Sequence, residues 1–240
     1  MPRTVQACLN GTRSTTDHPA VPITGWQVAR AAAEVAELGV DAVHLHPRDA
    51  AGAETLVGSE LAGTVAAVRA VAPAMAVGVT TGAWIVPDPR RRAALVAGWV
   101  ALAAGRPDFA SVNVHEPGWW EVCAAAHEAG VEVELGVYDP GAARTLRDRG
   151  LPPGAVRVLA EVQPTEPGEA AEAAGELLDA LSWVTLPVLL HGEGDSAWTV
   201  LAEANNRGLA TRIGLEDTLD LPDGTRAPDN TALVRAALDA

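Results

Sequence analysis

One pattern of apolar and polar positions recurs along the chain: a stretch with helical periodicity, a glycine, and then a short apolar run. A glycine just past a helix favours the left-handed conformation of a tight helix-to-strand connection. Short apolar runs between such turn signals are typical of buried parallel strands. The pattern therefore predicts a chain in which strands and helices alternate. The glycines in question are Gly39, Gly105, Gly130, Gly150 and Gly208.

The starts of several helices are also visible. Thr24 and Gln27 have the spacing of a capping box, and Asp88 and Asp139 each precede a proline, as an N-cap precedes the first helical turn. With these signals the chain divides into eight strands and eight helices. The strands are predicted at residues 5–10, 41–46, 76–80, 108–114, 131–137, 156–162, 187–191 and 211–215. The helices are predicted at residues 24–38, 58–72, 89–104, 118–129, 140–149, 166–182, 195–207 and 228–239.

Eight alternating units in 240 residues predict a (β/α)8 TIM barrel, with residues 1–240 forming one domain. A doubly wound open sheet is the alternative fold. That fold usually carries a glycine-rich phosphate-binding fingerprint after its first strand, and residues 10–13 (Asn-Gly-Thr-Arg) do not match it. In a barrel, catalytic groups lie at the carboxyl ends of the strands, so those ends form the candidate site.

The ends of strands two and eight carry a candidate metal-binding set. His44 and His46 share one face of their strand, because strand side chains alternate. Together with Glu216 they have the composition of a catalytic zinc site with an open fourth position. The alternative is two buried histidines that bind backbone groups and an unrelated glutamate. Polar residues also close the other strands: Asn10, Thr80, Thr81, Asn113, Glu134, Glu161, His191 and Asp217.

The spacing of these further residues along the sequence does not decide their roles. Asp217 is either a general base or the N-cap of a following turn, and Arg212 is either its partner or a surface residue. Glu134 has the inward parity of its strand, so its carboxylate is expected to face the barrel mouth. His191 is a further ligand, an acid or a residue that supports a ligand.

Composition excludes several kinds of chemistry. The 17 basic residues are all arginine, and without lysine the chain has no Schiff-base nucleophile, pyridoxal phosphate anchor, P-loop lysine or carbamylated metal bridge. A net charge of −14 argues against a nucleic-acid surface. We find no apolar run long enough to span a bilayer and no signal-peptide pattern in residues 1–4. Two cysteines that need not pair fit a reducing compartment, so a cytoplasmic location is expected.

Several motifs follow one another as in a known family. The chain resembles the β-keto acid cleavage enzymes, a group typified by 3-keto-5-aminohexanoate cleavage enzyme, over nearly its whole length. The paired motifs HxHxR and GxED, in this order and at barrel strand ends, are the most specific features of the resemblance. The segments that carry it are residues 8–13, 18–24, 43–49, 80–84, 111–116, 190–192 and 212–217.

The resemblance implies a zinc-dependent acyltransferase in which a β-keto acid reacts with acetyl-CoA to give acetoacetate and the acyl-CoA of the remainder. It also implies a homo-oligomer, a tetramer, whereas charge and the lack of a spanning apolar run are the grounds for expecting no nucleic-acid or membrane partner. By motif, His44, His46 and Glu216 would hold one Zn²⁺ per chain. Asp217, supported by Arg212, would be the base. The remaining matches are Glu134 as a family carboxylate at the fifth strand end, and Thr80, Thr81, Ser111 and Asn113 as residues that bind the keto-acid end of the substrate.

One position departs from the type member, in which an acidic residue after the first strand meets the amino group of the substrate. Here that position holds Arg13. A guanidinium repels an ammonium group and suits bidentate contact with a carboxylate. We therefore expect Arg13 to bind an anionic or strongly polar substrate end. The alternative is that Arg13 pairs with Glu134 or Asp17.

Three other functions compete with this interpretation. A metal-dependent hydrolase of the amidohydrolase kind is also a barrel, but its HxH motif lies on the first strand and further histidines follow the fifth and sixth. A non-haem iron oxygenase shares two histidines and a carboxylate, but the spacing fits it poorly. A barrel that binds a metal or ligand without catalysis is the third.

Overall fold

The computed structural model describes residues 4–163 and 167–240, in which all eight predicted strands and helices occur in the predicted order. Residues 1–3, which belong to the segment searched for a signal peptide, and residue 166, the predicted start of the sixth helix, lie outside the described residues. The strands are β1 Val5–Cys8, β2 Ala42–Leu45, β3 Ala76–Thr80, β4 Phe109–Asn113, β5 Glu132–Val137, β6 Ala155–Val162, β7 Val188–Gly192 and β8 Thr211–Ile213. The helices are α1 Gly25–Ala36, α2 Gly58–Val71, α3 Pro89–Ala97, α4 Trp119–Glu128, α5 Pro140–Arg149, α6 Pro167–Ala180, α7 Ala197–Arg207 and α8 Asn230–Asp239.

The strands form one parallel sheet in the order β7-β6-β5-β4-β3-β2-β1-β8. A parallel bridge between Leu189 and Ala210 joins β7 to β8. Thr211 strengthens the contact between β7 and β8, because its Oγ1 donates to the Leu190 carbonyl oxygen at 2.8 Å. The sheet therefore closes, and the predicted (β/α)8 barrel is confirmed.

The predicted helix starts are also confirmed. Thr24 and Gln27 form the capping box in full, while Asp88 and Asp139 accept hydrogen bonds from backbone amides of the first turns of α3 and α5. The third helix differs from its predicted range, since α3 ends at Ala97 and a 3-10 helix, Gly98–Ala101, follows it.

The apolar core lies between the sheet and the ring of helices. Val28, Leu61, Val122 and Leu146 are each at most 1% exposed, and each lies on the inner side of a different helix. Burial of side chains of this size contributes roughly 1.5–3 kcal/mol each. This outer layer stabilises the barrel and leaves its interior available to polar residues.

Two strands end two residues earlier than predicted, because the backbone turns at the barrel mouth. Gly214 packs directly on β1, and a Cβ at this position would lie 1.9 Å from the Cys8 carbonyl oxygen. Asn230 of α8 fixes the turn, since it accepts from the Leu215 amide at 2.8 Å and donates to the Leu9 carbonyl at 2.9 Å. The turn carries Glu216 across β1 towards β2.

We expect Gly214→Ala to destabilise the protein by about 1–3 kcal/mol, the usual cost of overpacking, because its neighbour is a backbone oxygen that cannot rotate away. Gly63→Ala in α2 is the matched control, since a Cβ there meets nothing within 4 Å. This control should gain roughly 0.5–1 kcal/mol of helix stability. Urea unfolding of both variants measures the difference, and equal stabilities would contradict the close packing of this turn.

Candidate functional site

A cavity of about 500 Å³ opens at the carboxyl ends of the strands, and its wall includes residues from all eight strands or the loops that follow them. Most of the predicted site residues line it. Three of them do not: Thr81, Glu134 and Asp217. The predicted residues in the wall are Arg13, His44, His46, Thr80, Ser111, Asn113, Arg212 and Glu216.

The structure brings the proposed metal ligands together. One possible ligand atom from each of His44, His46 and Glu216 lies within 4.8 Å of the others. The Nε2 atoms of His44 and His46 are 3.8 and 3.6 Å from Glu216 Oε1. Ligand atoms around a tetrahedral zinc ion lie about 3.4 Å apart, so the three atoms are close to a coordinating arrangement. The buried Oε2 of Glu216 has no hydrogen-bond partner in the described structure, which also fits a cation.

Burial and charge separate the two histidines. Burial lowers the pKa of His44 to about 3, so its ring is neutral and able to bind a metal. Burial also acts on His46, but the charge of Glu216, 3.6 Å away, and the hydrogen bond that the ring donates to Glu54 outweigh it and raise the pKa of His46 to about 9. The pKa of Glu216 is lowered in spite of burial, mainly by Arg212 and by the histidines.

Two residues that sequence reasoning missed contact His46. Glu54 Oε1 lies 2.5 Å from His46 Nδ1, and the Trp84 ring stacks on the imidazole at a centroid distance of 6.0 Å. Neither residue stands at a strand end: Glu54 belongs to the loop after β2 and Trp84 to the loop after β3. Strand periodicity therefore gave no signal for them.

Arg212 connects the metal ligands to the rest of the site. Its Nη2 donates to Glu216 Oε1 at 3.0 Å and to Asp217 Oδ1 at 2.8 Å. The arginine is only 3% exposed, so it is the predicted partner of Asp217 and not a surface residue. Asp217 is fully buried, and its side chain binds Arg212 instead of capping the next turn.

His191 lies between Asp217 and the cavity wall. Its Nδ1 is 3.5 Å from Asp217 Oδ1 and its Nε2 is 3.3 Å from Glu161 Oε2. Burial and Arg212 lower the pKa of His191, but Asp217 and Glu161 outweigh them and raise it to about 9. Arg212 Nε donates to Nδ1 at 3.2 Å, which requires a neutral ring, whereas a protonated ring donates from Nδ1 to Asp217. His191 thus has one hydrogen-bond pattern for each protonation state.

The wall beside β6 and β7 is acidic. Glu161 accepts a hydrogen bond from Gln163 Nε2 at 2.5 Å, and Glu193 follows β7 in the same wall. Burial raises the pKa of Glu161, but the hydrogen bond and charge of His191 outweigh it, and the net shift is downward. Burial, together with the charges of Glu161 and Asp217, raises the pKa of Glu193 to about 7.

The residues predicted to bind the keto-acid end divide into two groups. Thr80, Ser111 and Asn113 line the cavity. Asn113 is held in place, since it donates to Glu116 Oε1 at 3.0 Å and accepts from the Tyr138 hydroxyl at 3.0 Å. Thr81 points away from the cavity and donates to the Ser111 carbonyl oxygen at 2.7 Å, which ties the loop after β3 to β4.

Glu134 and Arg13 occupy different levels of the barrel. Glu134 is buried inside the barrel in an ion pair with Arg157 of β6, so the structure does not bring it to the cavity. Arg13 is half-buried in the cavity wall, where its Nε donates to the Glu216 carbonyl oxygen at 3.3 Å. Within the described residues it forms no direct ion pair with Asp17 or Glu134, although its charge contributes to lowering the pKa of Asp17.

A model of the beta-keto acid cleavage enzyme family matches residues 2–240. Among curated proteins, none matches the sequence. The solved complex of ObcA with oxaloacetate is similar in structure, with a TM-score of 0.68 and 16% identity over 92% of this chain and 63% of that chain. The complex of ObcA with a C4-CoA adduct and oxalate gives a TM-score of 0.67 and 17% identity over the same shares, 92% and 63%. The chain therefore spans less than two thirds of the length of these ObcA chains.

Other barrel enzymes are similar at the level of fold. The 3-dehydroquinate dehydratase of Geobacillus kaustophilus HTA426 has a TM-score of 0.66 at 14% identity, over 99% of this chain and 90% of that chain. A sialic acid aldolase of Ruminococcus gnavus, solved as a catalytic lysine mutant, has a TM-score of 0.53 at 11% identity, over 88% and 67%. These identities show a shared barrel alone, and the present chain has no lysine to match.

The helices of the described residues include none with both the length and the apolar character that crossing a bilayer requires.

We expect Glu134→Gln to lower the free energy of unfolding by about 1–3 kcal/mol, because the amide keeps a hydrogen bond to Arg157 but loses the charge of a largely buried ion pair. Glu132→Gln on the same strand is the control. Glu132 is exposed, so that variant should change stability by no more than about 0.5 kcal/mol. Chemical denaturation measures the free energy of unfolding of both variants. An unchanged stability of Glu134→Gln would show that the ion pair has no structural role.

Proposed function

Because the chain belongs to the β-keto acid cleavage enzyme family, we propose that it condenses a β-keto acid with acetyl-CoA and cleaves the product to acetoacetate and a new acyl-CoA. The convergence of His44, His46 and Glu216 in a cavity of about 500 Å³ carries the proposal. ObcA, which shares the fold, has been solved with oxaloacetate and with a C4-CoA adduct, and these ligands belong to the two chemical classes proposed here.

The proposed resident metal is one Zn²⁺ per chain. His44 and His46 would bind it through Nε2, and Glu216 through its carboxylate. Bound there, a zinc ion supplies Lewis-acid polarisation of a carbonyl oxygen. Such polarisation matters because carbon–carbon bond formation next to a carbonyl requires an enolate, whose oxygen carries developing negative charge.

The proposed base is Asp217, with Arg212 as its positioning residue. Asp217 does not line the cavity, so a proton from the substrate must reach it through another group. Arg212 is permanently charged and does not accept a proton. The contacts of His191 with Asp217 and with cavity-lining Glu161 offer a path of 3.5 and 3.3 Å steps. We therefore include Glu161 and His191 in the proposed proton transfer.

The other wall residues supply binding groups. Thr80, Ser111 and Asn113 are proposed to bind the keto-acid end, and Arg13 an anionic or strongly polar distal end. Glu134 and Thr81 have structural contacts instead, so we do not retain them in the proposed chemistry. The homo-oligomeric state, the tetramer and the cytoplasmic location stay predictions.

The rival functions differ in testable ways. The family match, together with strand ends β5 and β6 that lack histidine, argues against an amidohydrolase. A barrel that binds a metal without catalysis would hold zinc but would show no turnover with any β-keto acid and acetyl-CoA.

We expect the purified protein to bind one zinc ion and to release acetoacetate in a screen of β-keto acids with acetyl-CoA. His44→Ala and His46→Ala should each lose both metal and turnover, because two ligands do not hold the ion. His127→Ala, on the outer face of α4, should keep both. Elemental analysis gives the metal content. A full zinc content in the variant that combines His44→Ala and His46→Ala would contradict the assignment of these residues as metal ligands.

We expect Asp217→Asn and Glu161→Gln each to lower turnover by about two to four orders of magnitude, the range for loss of a general base, with zinc content retained. Asp195→Asn, an exposed residue after β7, serves as the control. If only Glu161→Gln lost turnover, Glu161 itself would be the base. If both variants kept turnover, the proposed proton transfer would be wrong.

A further inference from the structure

The loop after β2 is built as a rigid hairpin. An antiparallel bridge pairs Arg48 with Glu54, and Asp49 Oδ1 accepts from the amides of Ala51 and Ala53 at 2.8 and 2.9 Å. The Arg48 guanidinium ties the hairpin to the loop after β1, since Nη2 donates at 2.7 Å to the carbonyl oxygens of both Gly11 and Arg13. The backbone at Glu54 is therefore fixed from both sides.

From this position Glu54 meets the side of His46 that faces away from Glu216. The distance from Glu54 Oε1 to His46 Nδ1 is 2.5 Å, and the two side chains are 13% and 5% exposed. A carboxylate accepts a hydrogen bond from the Nδ1 proton and cannot donate one, so it keeps the proton on Nδ1 and leaves Nε2 as the nitrogen that can lose its proton to bind a metal. Nε2 is the atom directed at Glu216, 3.6 Å from its Oε1.

His44 lacks such support. Its Nδ1 is buried and has no hydrogen-bond partner in the described structure. The two histidines of the motif therefore differ: His46 is oriented by a charged neighbour, whereas packing alone orients His44.

Trp84 completes the arrangement from the loop after β3. Its Nε1 donates to both oxygens of Glu54 at 3.2 Å, while its ring lies over His46 with an interplanar angle of 26°. Gly82 provides the space for this ring, because a Cβ there would lie 2.2 Å from it. An indole that is 49% exposed is thus held at the cavity edge by its contact with Glu54.

We propose that Glu54 is a positioning residue for the metal ligand His46, and that Trp84 holds Glu54 in place. Glu54 fixes the Nδ1 proton and the ring orientation, so that Nε2 is the nitrogen that gives up its proton and coordinates when the ion binds. This inference rests on the proposed function, because it assigns residues toward the zinc ion proposed there. Carboxylates that support a metal-bound histidine in this way raise metal affinity by about 10–100-fold.

The test is zinc affinity, measured by competition with a chelating dye. Glu54→Gln should weaken zinc binding by about 10–100-fold, because an amide presents either a donor or an acceptor to Nδ1 and no longer selects one tautomer. Glu54→Ala should weaken binding at least as much. Trp84→Phe keeps an aromatic ring at this position but loses the indole N–H and the five-membered ring that carries it. Glu54 remains in that variant, so a smaller loss of zinc affinity, of about a few fold, is expected.

Two matched controls separate positioning from general damage. Glu60→Gln changes a nearby glutamate at the start of α2, which accepts a hydrogen bond from the Thr55 hydroxyl. Trp26→Phe changes an exposed tryptophan on α1. Both should bind zinc as the natural chain does. Thermal unfolding without metal should be nearly unchanged in Glu54→Gln, and the absorption spectrum of Co²⁺-loaded protein should change in Glu54→Gln but not in Glu60→Gln.

The outcomes distinguish this inference from the proposed function. If the natural chain binds zinc tightly, His44→Ala abolishes binding, and Glu54→Gln and Glu54→Ala bind as the natural chain does, the inference is wrong and the metal site stands. If the natural chain binds no zinc, the proposed metal fails and the positioning role fails with it. Weaker zinc binding in Glu54→Gln, with an unchanged Glu60→Gln control and retained thermal stability, supports the inference.

Discussion

The ionic contact on which the rest of the site depends is the one between Arg212 and the carboxylates of Glu216 and Asp217. These neighbouring residues place two negative charges at one turn, and Asp217 is completely buried. A guanidinium presents donors in a fixed fork and keeps its charge when buried. With hydrogen bonds of 3.0 and 2.8 Å it holds Glu216 toward the histidines and Asp217 toward His191. Loss of one partner from such a buried group typically costs 3–5 kcal/mol.

The barrel tolerates this charge because its stability comes from elsewhere. The apolar side chains of the helices pack on the outer face of the sheet, while the inner face holds ion pairs at two levels. At the lower level Glu134 meets Arg157, and at the upper level Arg212 meets the carboxylates of the mouth. Each charge in these two clusters has a partner of opposite sign, as the low dielectric of an interior requires.

The sequence predicts the fold well because its signals are local. Apolar runs and caps such as Thr24 with Gln27 determine each element, and the GxED turn lies where the motif indicates. Parity predicts which side of a strand a residue faces but not its depth, so it places Glu134 inside the barrel without showing that it lies below the cavity. The contacts of Glu54 and Trp84 with His46 have no signal in strand periodicity, because both residues reach His46 from loops whose path depends on tertiary contacts.

The two carboxylates of the β6–β7 wall show how this site can treat identical groups differently. His191, whose Nε2 is 3.3 Å from Glu161 Oε2, attracts the carboxylate, so the pKa of that carboxyl is lowered in spite of burial. Arg212 and His191 also act to lower the pKa of Glu193, but burial and the charges of Glu161 and Asp217 outweigh them and raise it to about 7. Near neutral pH the wall therefore holds one carboxylate that is ionised and one that is close to its protonation midpoint. Environments that push two pKa values apart in this way are those that assign one carboxyl to accept a proton and the other to supply one. The cleavage proposed for this chain would need both steps, since a proton leaves the α carbon of one partner and another returns to the enolate that departs.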